Sequence, residues 1–190
     1  MAVVARQGKH ERAAFFNRNK RMPLVCTDAK ESKILASDAA TNDYFGVSAS
    51  ISGNYCVAGA TGKVSSTGAA YVYYRTGNNI WNTEAKLVAS DAATGDQFGK
   101  SVCVSGDYII IGSIFQNTGG TEAGAAYIFH RTGTNTWDAG TKIVSSDIQA
   151  GDRFGISVSI NGDYVISGAY GEDAGGSNAG AAYIYHRNCI

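Results

Sequence analysis

Lys86-Leu-Val-Ala-Ser-Asp91-Ala-Ala-Thr-Gly-Asp96-Gln-Phe98-Gly99 is the stretch on which the fold turns, because the chain contains it three times. The earlier copy is Lys33-Ile-Leu-Ala-Ser-Asp38-Ala-Ala-Thr-Asn-Asp43-Tyr-Phe45-Gly46. The later copy is Lys142-Ile-Val-Ser-Ser-Asp147-Ile-Gln-Ala-Gly-Asp152-Arg-Phe154-Gly155. The copies are 53 and then 56 residues apart. Each runs on through an alternating segment into a turn: Ser52-Gly53-Asn54-Tyr55, Ser105-Gly106-Asp107-Tyr108 and Asn161-Gly162-Asp163-Tyr164. Each then reaches Gly-Ala-Ala-Tyr, at Gly68–Tyr71, Gly124–Tyr127 and Gly180–Tyr183. The loop before Gly68 is three residues shorter than its later counterparts, which accounts for the difference in period. A repeat of this length marks an array of supersecondary units, each burying its apolar faces against its neighbours.

Within a unit the pattern reads as four strands. Gly46–Ser52 alternates, with Val47, Ala49 and Ile51 on one face and Ser48 and Ser50 on the other. The Gly of the following turn supplies the positive φ of a tight hairpin. Tyr55–Ala60 is a continuous apolar run, as in a strand buried on both faces. Ala69–Arg75 alternates again, and Lys86–Ser90 is expected to be the fourth strand. Four short antiparallel strands repeated at about 50 residues predict an all-β, β-propeller-like fold of three four-stranded antiparallel blades. Phe45, Phe98 and Phe154 are expected as wedges between sheets, with the glycine after each allowing close backbone approach.

The Asp-x-Phe-Gly step, the Ser-Gly-Asp-Tyr turn and Gly-Ala-Ala-Tyr resemble FG-GAP repeats, the blades of integrin-α-like propellers, and most closely their bacterial and marine type. The resemblance spans about residues 33–187 in three units, near 33–85, 86–141 and 142–190. It implies a non-enzymatic binding or adhesion module with a glycan or protein ligand, in an extracellular or cell-surface setting. The alternatives are a structural blade segment of a larger propeller, or a propeller hydrolase. The calcium loops of the integrin-like relatives read Asp-x-Asp-x-Asp-Gly, and that pattern occurs nowhere here. What recurs is Asp38/Asp43, Asp91/Asp96 and Asp147/Asp152. These pairs read as acceptors of backbone N–H groups in a turn, with a cation between them as the other reading.

Composition bounds the rest. The 190 residues are 44% hydrophobic and 17% charged, a globular balance, with 24 Gly against one Pro. Lys+Arg and Asp+Glu are 16 each, so no overall charge draws nucleic acid, and no apolar run approaches the length that crosses a membrane as a helix. Residues 1–31 carry seven Lys/Arg and three Asp/Glu and read as a basic leader, solvated or docked on an acidic partner, ahead of the repeats at 32–190. They hold no apolar stretch of the kind a secretory signal needs.

Candidate chemistry is sparse. No motif calls for a cofactor, a catalytic residue or a metal-ligand set. Gly59-Ala-Thr-Gly62-Lys63-Val64-Ser65 has the wrong spacing for a phosphate loop and lies between two strands. His130 and His186 share the repeat position held by Tyr74, as strand residues do. Cys56 and Cys103 read as small apolar fillers, while Cys26 and Cys189 would meet at one blade end if the ring closed, bonded or free. Trp81 and Trp137 are the ligand-binding candidates: in the segments Gly77–Glu84 and Gly133–Gly140, read as long rim loops, each either stacks on a ligand or folds over its own blade.

The chain enters its repeats on a fourth strand (Lys33–Asp38) and leaves after a third (Ala181–Arg187). A single ring of three blades falls below the usual four to eight. The readings are a fragment, an open arc, or a homodimer that closes six blades, with Lys33–Asp38 of one copy paired on Ala181–Arg187 of the other.

Overall fold

In the computed structural model, residues 31–134 and 136–187 are described. The basic leader, Cys26 and Cys189 therefore lie outside the described residues. Three antiparallel sheets follow one another along the chain. The first runs β1 (Phe45–Ser52), β2 (Tyr55–Ala60), β3 (Ala69–Gly77), β4 (Ile80–Leu87), in that spatial order. The second runs β5 (Phe98–Ser105), β6 (Tyr108–Ser113) and β7 (Ala125–Gly133), beside which lie two short strands, β8 (Thr136–Trp137) and β9 (Thr141–Ile143). The third is β10 (Val158–Asn161), β11 (Tyr164–Ala169) and β12 (Ala181–His186). These are blades of a partial β-propeller, each a meander whose hairpins turn at Gly53, Gly106 and Gly162 with φ near +57°.

Three details depart from the sequence expectation. The fourth strand of blade 1 begins at Ile80, six residues before Lys86, so Trp81 sits on a strand and not in a long loop. The cause is the Asn78-Asn79 turn: Asn79 takes φ 58°, a conformation asparagine tolerates, and folds the chain straight back on β3. In blade 2 the same strand is broken between β8 and β9, because the Asp138 carboxylate accepts the backbone N–H groups of both His130 and Gly140. Finally, Lys33–Asp38 forms no strand. A strand needs an edge to pair with, and β12, the edge expected for it, belongs to the last blade of the row. Among the described residues blade 3 has three strands, and the place beside β12 is open.

The serine/apolar alternation of β1 is real, but the serine face is the packed one. Ser48 donates to the Gly99 carbonyl at 2.7 Å, and Ser101 donates to the Gly155 carbonyl at 2.7 Å. A Cβ on Gly59 would stand 2.0 Å from the Gly99 oxygen, and one on Gly112 would stand 1.9 Å from the Gly155 oxygen. Glycine is therefore required where neighbouring blades touch backbone to backbone. Parallel bridges Gly68–Phe98 and Gly124–Phe154 tie the same junctions. Phe98 and Phe154 are fully buried; Phe98 is edge-on to Tyr127 and Phe129 of its own blade, and Phe154 is edge-on to Tyr185 and tilted against Tyr183. Phe45 is only half-buried. The core between blades 1 and 2 is Val57, Val72 and Leu87 against Val102, Val104 and Ile109, among others.

Candidate functional site

Each blade carries a polar cluster at the Asp-x4-Asp turn. The second carboxylate accepts a backbone N–H three residues back: Asp43 from Ala40 at 2.7 Å, Asp96 from Ala93 at 2.9 Å, Asp152 from Gln149 at 2.7 Å. This is the turn role read from the sequence. The first carboxylate does something else. Asp38 accepts the Tyr71 hydroxyl and pairs with Lys86 at 2.7 Å. Asp91 accepts the Tyr127 hydroxyl at 2.6 Å and pairs with Lys142 at 2.8 Å. Tyr71, Tyr127 and the lysine heading each copy were visible as repeats. Their meeting was not, because it joins strands three and four of a blade to the turn that precedes strand one.

Blade 1 adds a second cation. The Lys63 ammonium is buried, 2.8 Å from Asp43, and also donates to the Asp38 carbonyl. The chain leaves this point through three successive left-handed residues, Val64, Ser65 and Ser66. The hydrogen bonds from Lys86 and Tyr71 hold the Asp38 carboxyl well below its ordinary range, and the hydrogen bond from Lys63 lowers Asp43. Asp43 in turn holds the Lys63 ammonium above its usual value. In blade 2, where Gln116 replaces the lysine, burial pushes Asp96 up instead. Among the described residues, no group of three or more His, Cys, Asp or Glu side chains is arranged to hold a metal ion.

The tryptophans behave differently from one another. Trp81, opposite Arg75 on β3, is half-buried against the Ala36, Tyr71 and Tyr73 cluster, with the Arg75 guanidinium 6.0 Å from its ring centroid. Trp137, opposite Arg131, stands edge-on to Tyr55 at 6.4 Å. Its indole N–H is buried and meets no acceptor among the described residues. Beside it a groove of about 460 Å³ opens between β4 and the broken strand of blade 2. Leu87, Val88 and Phe129 supply apolar lining, and Lys86, Thr136 and Asp138 supply polar groups. The groove includes Trp137 and excludes Trp81, so the two candidates do not form one site. Its existence depends on the break between β8 and β9, for which the sequence signal was the Asp138–Gly140 step.

The histidines follow the repeat. His130 stacks on Tyr108 at 4.4 Å and His186 meets Tyr164 at 4.9 Å, as Tyr74 meets Tyr55 at 5.0 Å. Cys56 and Cys103 are free, half-buried thiols.

A search of curated proteins finds no match to the chain. The model of the FG-GAP repeat matches it three times, at residues 29–73, 81–129 and 137–185. Each matched segment after the first opens on the fourth strand of one blade and ends on the third strand of the next, so the sequence unit straddles a blade junction. Motif, blade topology and matched segments agree, and the chain belongs to the FG-GAP repeat family.

Proposed function

We propose that this propeller module is a non-enzymatic binding or adhesion unit, and that its ligand docks in the groove beside Trp137. The groove itself carries the reading. Its volume, about 460 Å³, is in the range of small-ligand clefts. An indole beside an apolar floor, with Lys86, Thr136 and Asp138 close by, suits the face of a sugar ring, whose C–H bonds stack on aromatic carbon while its hydroxyls meet polar groups. A protein loop with an exposed apolar side chain is the second occupant of the same chemistry. An extracellular or cell-surface setting fits this reading.

The test is a glycan array probed with the whole chain, followed by titration of the best hit. Trp137→Ala is expected to weaken binding at least tenfold, while Trp81→Ala, outside the groove, leaves it within twofold. A chain that binds no glycan and no cell surface would favour the structural alternative, a blade segment without its own ligand.

A further inference from the structure

Three of the large apolar side chains left exposed, Ile51, Ile166 and Ile184, are repeat-mates of buried ones. Ile51 on β1 is 64% exposed, yet its counterparts Val104 and Ile160 are each 4% exposed. On the other end of the row, Ile184 is 70% exposed, against 0% for Val72 and 6% for Ile128. Ile166 is 38% exposed, against 1% for Val57 and 0% for Ile110. The first set faces away from blade 2 on blade 1. The second faces away from blade 2 on blade 3. They are the two halves of an interface the chain builds twice within itself.

The specific contacts divide the same way. At both internal junctions a serine donates to the carbonyl of the Phe-Gly glycine, and Ser157 and Gly46 are the unused counterparts. At both, a Gly-Ala-Ala-Tyr glycine bridges the Phe of the next blade, and Gly180 and Phe45 are left over. Arg131 of blade 2 lies 4.8 Å over Tyr55 of blade 1, and Arg187 of blade 3 lies 3.6 Å over Tyr108 of blade 2. Tyr164 and Arg75 are the corresponding pair at the two ends. Lys86 and Lys142 each neutralise the first aspartate of their blade, and the lysine that would do so for Asp147 is Lys33. Gly168 has no neighbouring-blade backbone against it, whereas its counterparts Gly59 and Gly112 do.

We propose that the blade-1 face of one copy docks on the blade-3 face of a second copy, and the reverse, closing a six-blade ring. The occupant is a second copy because every leftover group on one face has its mate on the other face of this same chain. Residues Lys33 and Ile34 then pair on β12, in the register that sets Tyr71 against Lys86 and Ala70 against Leu87 on β3. The head-to-tail contact closes after two copies and leaves no uncovered blade face.

Light scattering on the full chain at micromolar concentration reads the mass, with twice the chain mass expected. Ile51→Asp blocks one face and Ile184→Asp the other. Both side chains are exposed within one copy, so circular dichroism should show each variant folded. Each alone should be monomeric, with a dissociation constant raised at least about a hundredfold by burying an unpaired carboxylate. Mixing the two should restore a dimer containing one of each, because one unblocked face remains on either. A monomeric parent chain, a dimer that survives either substitution, or a mixture that stays monomeric would each overturn the proposal. The two variants measured separately also exclude a symmetric face-to-face dimer, in which one of them would be unaffected.

Discussion

Lys63, Gln116 and Glu172 occupy one position of the repeat, and all three are buried. The side chain chosen there sets how each blade answers acid. Asp38 and Asp43 titrate below their ordinary 3.8 in the fold, so their contribution to stability is present above that value and is lost as pH falls through the folded values. Asp96 is raised, so its sign is opposite: the fold favours its protonated form, and that contribution is lost as pH rises through its folded value. Lys63→Met should therefore lower the melting temperature at pH 7, where Asp43 loses its cation. The gap from the parent chain should narrow between pH 5 and pH 2, and a gap that stays constant over that range would contradict the pairing. Phe98 tests packing at the same scale. Phe98→Ala should cost about 3–5 kcal/mol in denaturant titration, the usual range for a buried phenylalanine, and Phe45→Ala clearly less because Phe45 is half-buried in the single copy.

The strands show what could be read in advance and what could not. β2 lies where the apolar run placed it, Tyr55–Ala60, because continuous burial between two neighbouring strands leaves one reading. The alternation of β1 was legible, but the side that would be covered was not. Apolar residues usually mark the covered face, and in the later blades they do, with Val102, Val104 and Ile160 buried against the preceding blade. Among the described residues no blade precedes β1, so Val47, Ala49 and Ile51 stay exposed while its serines pack on blade 2. The start of the fourth strand was missed because a two-asparagine turn was read as part of a loop. The groove beside Trp137 was legible only as one tryptophan in one segment. The junctions themselves predict a contrast between glycines. Gly112→Ala forces a Cβ within 1.9 Å of the Gly155 oxygen and should destabilise the chain severely in thermal melts. Gly168→Ala meets chiefly the Ser157 hydroxyl, which can rotate away, and should leave the melting temperature of the single copy nearly unchanged.

At the scale of the molecule, the three repeats made the propeller legible, since the period and four-strand pattern leave few other architectures. Whether a ring closes depends on contacts outside the single copy, and those no residue pattern displays directly. A whole-molecule measurement also checks the carboxylate turns: with their aspartates engaged by N–H, hydroxyl and ammonium groups, millimolar calcium should shift the melting temperature by less than a degree or so. A rise abolished by changing Asp91 and Asp96 to Asn would assign them a cation instead. The position shared by Lys63, Gln116 and Glu172 has one more consequence. Counted with the two turn aspartates and the fourth-strand lysine, formal charge at this place is 0 in blade 1, −1 in blade 2 and −3 in blade 3. Within a single copy, a row of blades graded in this way is an electric dipole, negative toward its last member, whose in-plane part a two-fold ring of two copies cancels. An approaching molecule with a cationic leading end is turned into line before it touches, so the speed of encounter, more than its final strength, should fall as salt shortens the reach of that field.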